Sequence, residues 1–129
     1  MNVLLDTCSI LFLSLDDPCV GVSTRAIIRE ARRVCVSPIS AAEIACLQER
    51  GRIELPVHWK PWLREAIDRN GWEAMPITME IVEEAYSLPG SFHADPADRI
   101  LAATARRESL ILLTTDRRLL AYPHVTARW

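Results

Sequence analysis

HADPADRILAATARRESLILLTTD, residues 93–116, reads as one helix followed by one strand, with acids at the start of the first and just past the end of the second. Asp95 suits an N-cap and Pro96 the first helical position. Ala102, Ala103 and Ala105 let such a helix lie close against a sheet, which carries Asp98 toward the end of the neighbouring strands. Leu110–Leu113 is the most strand-like run in the chain, and Asp116 opens a short turn or helix after it. A helix feeding a fully apolar strand is the repeating unit of a parallel sheet, whose strands need long crossovers.

The rest of the chain extends this pattern. Val3–Leu5 is a short apolar strand ending at Asp6, and Ile10–Leu15 continues as a helix until Asp16, Asp17 and Pro18 stop it. Ser23 suits the cap of a helix running to about Arg33, and Val34–Val36 a second strand. After Pro38 a helix is expected to open at Ser40 and end near Arg50 and Gly51. Trp59, Trp62, Leu63, Ala66 and Ile67 mark an amphipathic helix closed by Asn70 and Gly71. Met75–Ile77 reads as a brief strand, and Thr78 as the cap of a helix with Ile81, Val82, Ala85 and Tyr86 inward. Val125–Ala127 would add a last edge strand. The expected fold is α/β: one domain over residues 1–129, with a mainly parallel sheet of four to five strands flanked by helices.

Four carboxylates recur at corresponding places in this topology: Asp6, Glu43, Asp98 and Asp116. In an open parallel sheet the ligand crevice lies beyond the carboxyl ends of the strands, so these acids can converge there. Crowded like charges raise one another's pKa, and a hard divalent cation is their natural partner. Each acid also has a purely structural explanation. Asp6 can cap the first helix, and Ser40-x-x-Glu43 matches a capping box. Asp95 and Asp98 fit the cap and third position of one helix, and Asp116 can initiate a turn. Capping alone does not account for all four recurring at equivalent sites.

The formal charge of −2 and pI near 5.9 conceal a separation of acids from arginines, since Lys60 is the only lysine among 15 cations. Arginine suits bidentate phosphate contact. Arg25, Arg29, Arg32 and Arg33, with Arg106 and Arg107, nevertheless fit a solvated face at least as well as a groove. Cys8, Cys19, Cys35 and Cys46 show no zinc-site spacing and read as small buried hydrophobes of a reducing, cytoplasmic setting. The apolar start of the chain has no basic leader and carries Asp6 within it, which argues against a signal peptide. No stretch approaches the ~20 apolar residues that span a bilayer.

VLLDT, SPISAAEIA, LPGSFHADPADRILAATAR and LILLTTD together resemble the PIN domain, and within it the VapC-type ribonuclease toxins of prokaryotic toxin–antitoxin modules. The resemblance spans nearly the whole chain, and the LPGSFHADPADR block is its most specific part. It implies Asp6, Glu43, Asp98 and Asp116 as an acidic Mg²⁺ site, with Mn²⁺ substituting. Asp6, Glu43 and Asp98 would take the primary metal, with Asp116 completing or water-bridging a second position. Thr7, Asp95 and Thr114 would support these ligands. It further implies an RNA substrate, a cognate VapB-like antitoxin and a homodimer. Trp59 and Trp62, at helical spacing, fit a core or interface role better than base stacking. His93, a loop histidine, is left outside the catalytic set. Two other functions fit less well. A phosphatase of the haloacid-dehalogenase type wants a second aspartate where Cys8 stands. A non-catalytic RNA- or partner-binding module would not need intact acids.

Overall fold

The computed structural model describes residues 1–129. In chain order the elements are β1 (Asn2–Leu5), α1 (Thr7–Ser14), α2 (Val22–Glu30), β2 (Arg33–Val36), α3 (Pro38–Glu49), α4 (Trp59–Asn70), β3 (Glu73–Ala74), α5 (Met79–Ala85), α6 (Pro96–Arg107), β4 (Ile111–Leu113), α7 (Arg117–Ala121) and β5 (Ala127–Arg128). The five strands form one sheet in the order β3-β2-β1-β4-β5, and every neighbouring pair is parallel. The chain moves outward from β1 to β3 on one side, then crosses to build β4 and β5 on the other. The order therefore reverses at β1 and β4, the place where an open α/β sheet forms its crevice.

Burial follows the two-residue period of a strand. Val3, Leu5, Val36 and Leu113 face one layer, packing with Ile10, Leu11, Ile44, Leu63, Ala66 and Trp72. Leu4, Cys35 and Leu112 face the other, with Leu101, Ala105 and Leu119. Val3, Leu4 and Leu5 are all fully buried, which is why this strand reads as a continuous apolar run rather than an alternating one. A smaller cluster of Ile81, Ala85, Ile100 and Ala103 joins α5 to α6. Trp59 and Trp62 pack, partly buried, against the first layer, in keeping with the core role expected of them.

Several local expectations are corrected. The first helix begins at Thr7 instead of Ile10, because Asp6 caps it. Gly21, not Ser23, occupies the N-cap of α2, which ends at Glu30. The third helix opens at Pro38 with Ser37 as its cap, so Ser40 and Glu43 form no capping box. The third strand lies at Glu73–Ala74 and the last at Ala127–Arg128, both displaced from the apolar runs beside them. Both pair with a neighbouring strand; Glu73 and Ala74 are exposed, whereas Ala127 also joins the core. Val82 and Tyr86 are exposed, and only Ile81 and Ala85 of that helix turn inward. Cys8, Cys19 and Cys46 are exposed free thiols, and only Cys35 is buried. Arg25, Arg33, Arg106 and Arg107 pair with Asp16, Glu73 and Glu84, as a solvated face would.

Candidate active site

Asp6 leaves the carboxyl end of β1 and does two jobs at once. Its Oδ1 accepts the backbone N–H of Ser9 at 2.8 Å, capping α1. Its own N–H donates to Leu113 O at 3.2 Å, and the Ser9 hydroxyl donates to the same carbonyl at 2.7 Å. The first turn of α1 is thereby fastened to the end of β4, and Asp6 is only 6% exposed. Burial raises its pKa; hydrogen bonds from Thr114 and Ser9 oppose the rise, and the charge of Asp116 adds to it.

Glu43 reaches the same region from the interior of α3. The Thr7 hydroxyl lies within hydrogen-bond reach of Glu43 Oε1 and 3.0 Å from the Ser40 hydroxyl. With one hydrogen to give, Thr7 donates to the carboxylate and accepts from Ser40. Burial raises the Glu43 pKa, Thr7 lowers it, and Asp95, Asp98 and Asp6 push it up again.

Asp95 and Asp98 divide the two roles that the sequence leaves open. Asp95 is exposed and its Oδ1 accepts the N–H groups of Ala97 and Asp98 at 2.9 and 3.1 Å, the work of an N-cap. Asp98 is largely covered, and its Oδ2 lies 2.6 Å from His93 Nε2 and 3.6 Å from Arg118 Nη2. Its pKa is raised by burial, lowered by the His93 hydrogen bond, and raised by Asp95 and Asp116.

Asp116, one turn past β4, caps α7 through the N–H groups of Arg118 and Leu119. Burial alone would raise it, but those hydrogen bonds and the Arg118 guanidinium outweigh burial and hold it below the usual carboxylate value. The buried Thr114 hydroxyl accepts the Asp116 N–H at 3.0 Å. Cys8, in the first turn of α1, lies within reach of the same acids. Desolvation, followed by the charges of Asp6, Glu43, Asp98 and Asp116, pushes its thiol to about 11.

All seven residues expected at the site thus gather at the end of the sheet. His93, set aside on sequence grounds as a loop histidine, and Arg118, which the sequence does not single out, join them. No three acid, histidine or cysteine side chains close to the spacing of a finished metal cage. The donor chemistry still fits a small hard cation: Mg²⁺ keeps several waters and is usually held through one or two carboxylates. Glu43 Oε2 and Asp98 Oδ1 remain without a hydrogen bond from the protein.

An all-parallel α/β sheet with carboxylates from four segments at its switch point defines an acidic-cleft protein of the kind suited to hard cations. Residues 3–125 match the PIN domain family model. Ribonuclease VapC22 of Mycobacterium tuberculosis is 34% identical over 95% of this chain and 93% of its own length. The chain belongs to the PIN domain family. Its fold matches that of VapBC2 from Rickettsia felis bound to a DNA fragment from their promoter, with a TM-score of 0.73, 14% identity, and coverage of 100% of this chain and 99% of that one. DNA-bound VapBC from Salmonella typhimurium gives a TM-score of 0.72 at 16% identity over 99% and 97% of the two chains. FitAcB from Neisseria gonorrhoeae gives 0.65 at 21% over 98% and 96%.

Proposed function

We propose that this protein is a Mg²⁺- or Mn²⁺-dependent endoribonuclease and the toxin of a toxin–antitoxin pair. It would act in the cytoplasm as a homodimer restrained by a VapB-like antitoxin. The observation that carries the chemistry is the convergence of Asp6, Glu43 and Asp98, from three elements, in one crevice where ionisation of each is disfavoured. Carboxylates destabilised in this way are stabilised by a divalent cation. The substrate and toxin assignments rest on identity to a ribonuclease across nearly the full chain, and on a fold shared with members of toxin–antitoxin complexes.

Asp6, Glu43 and Asp98 would hold the metal, with Asp116 taking part directly or through water. When bound, such an ion makes a water easier to deprotonate and stabilises charge on phosphoryl and leaving oxygens. The protein's own share is orientation. Thr7 fixes the Glu43 carboxylate, His93 fixes Asp98, and the Ser9 N–H fixes Asp6. Asp95 supports the set by building the first turn that presents Asp98. The test is cleavage of a mixed structured-RNA pool by purified, antitoxin-free protein with Mg²⁺ or Mn²⁺. Discrete products should vanish with EDTA and in Asp98→Asn. A fully active Asp98→Asn variant would refute the assignment, and RNA binding without turnover would favour a binding module.

A further inference from the structure

Arg118 is the one arginine that contacts the acids of the crevice. It extends from the first turn of α7 with its side chain 59% exposed, and its Nη2 lies 3.2 Å from Asp116 Oδ2 and 3.6 Å from Asp98 Oδ2. A second arm, Nε to Asp116 Oδ1, is 3.5 Å long. All three contacts are longer than a good charge-assisted hydrogen bond. By contrast, the arginine pairs at Arg33–Glu73 and Arg106–Glu84 close to 2.6 and 2.8 Å. Arg118 is therefore attracted to the crevice yet gripped loosely, by two carboxylates that belong to different elements.

The same two carboxylates stand among the proposed metal ligands, so a cation entering the crevice, with Asp98 Oδ1 open to it, competes with the Arg118 guanidinium for the negative charge of Asp98 and Asp116. A guanidinium freed at the rim of a metal site is well placed for phosphate, whose oxygens match its fork. We propose that Arg118 anchors the substrate phosphate, and that until a divalent cation takes over Asp98 and Asp116 it is held in reserve on them. His93 differs from it in kind: at 2.6 Å and mostly covered, it stays with Asp98 as a positioning residue. The inference rests on the metal-dependent nuclease reading and specifies how that site switches from acid-paired to phosphate-binding.

Two measurements on Arg118→Gln, an exposed change that the fold tolerates, test the proposal. Calorimetric titration with Mn²⁺ alone should show affinity rising by roughly three- to tenfold, since the internal competitor is gone. Binding of a short single-stranded RNA to the otherwise unaltered protein, measured with Ca²⁺, a hard oxygen-binding cation, in place of Mg²⁺ so that every carboxylate is kept, should weaken by about tenfold in Ca²⁺ but change little in EDTA. Unchanged or weaker Mn²⁺ affinity would overturn the competition, and an equal loss of RNA affinity with and without metal would overturn the handover. If the parent protein itself bound no Mn²⁺ and cleaved no RNA, the nuclease reading would fall instead, a result these arms separate from failure of the Arg118 proposal.

Discussion

Thr7 joins the first helix to Glu43 with a single hydroxyl, and its loss should be felt in two ways. In Thr7→Val the hydrogen bond that lowers the Glu43 pKa disappears, so a carboxyl-carbon NMR titration should find Glu43 ionising at still higher pH. Stability should fall by about 1–3 kcal/mol, because the Ser40 hydroxyl also loses its partner in a buried place. The acids themselves set a pH dependence of definite sign. Asp6, Glu43 and Asp98 have pKa values raised above 3.8, 4.5 and 3.8, so the folded state holds their protons where the unfolded state has released them. Their contribution to stability is fully present below those unfolded values and is lost as pH rises through the raised ones. Asp116, held low, acts oppositely: its contribution is present above 3.8 and lost as pH falls through its depressed value. Mg²⁺ should accordingly raise the melting temperature progressively less as pH falls and the three acids keep their protons, and a gain independent of pH down to their ordinary carboxylate range would contradict the raised values. Asp6, Asp98 and Asp116 were legible in the sequence because each follows an apolar run or lies at a helix start, whereas Glu43 was noticed through a capping box that does not form. His93 and Arg118 were not, because their contacts with Asp98 depend on a loop's path and on α7 meeting α6, which no periodicity records. The signal available was local: a histidine just before the Asp95 cap, and an arginine in the first turn of a helix capped by Asp116.

Helix boundaries decide where these side chains point. Starting α3 at Pro38 moves Glu43 from a capping position to the helix interior, from which it meets Thr7. Read from sequence, this helix opens at Ser40; the cap is instead Ser37, which is followed by a proline suited to the first helical position. The end of α4 was readable without ambiguity. Gly71 sits at φ 65°, where the αL cap releases the chain toward β3, and only glycine adopts that region at no steric cost. Gly71→Ala should cost about 1 kcal/mol in urea denaturation while leaving the acids in place, so RNA cleavage per folded molecule should be unchanged. The two edge strands were misplaced by one to three residues for a different reason. Apolar composition marks burial, whereas the ends of Glu73–Ala74 and Ala127–Arg128 are set by the hydrogen bonds that β2 and β4 offer them, Ala127 alone of the four being buried.

Across the whole molecule, the parallel α/β class follows from alternating helices and apolar strands, while the strand order depends on long-range pairing that no single segment encodes. The reversal at β1 and β4 brings Asp6 and Asp116 to one crevice although 109 residues lie between them in the chain. The load on that arrangement falls on the fully buried strand β1. Leu4→Ala should destabilise the fold by about 2–5 kcal/mol, read from the urea midpoint, whereas Val22→Ala, at a position 87% exposed, should stay within about 0.5 kcal/mol. No helix is long and apolar enough to cross a membrane. The sheet ends on both sides in a strand of two residues. Such stubs present almost no run of unpaired N–H and C=O groups for another chain to lengthen. The fold is thus guarded against edge-to-edge aggregation, and any protein that grips it must read side chains on helices and loops, where recognition can be made selective residue by residue.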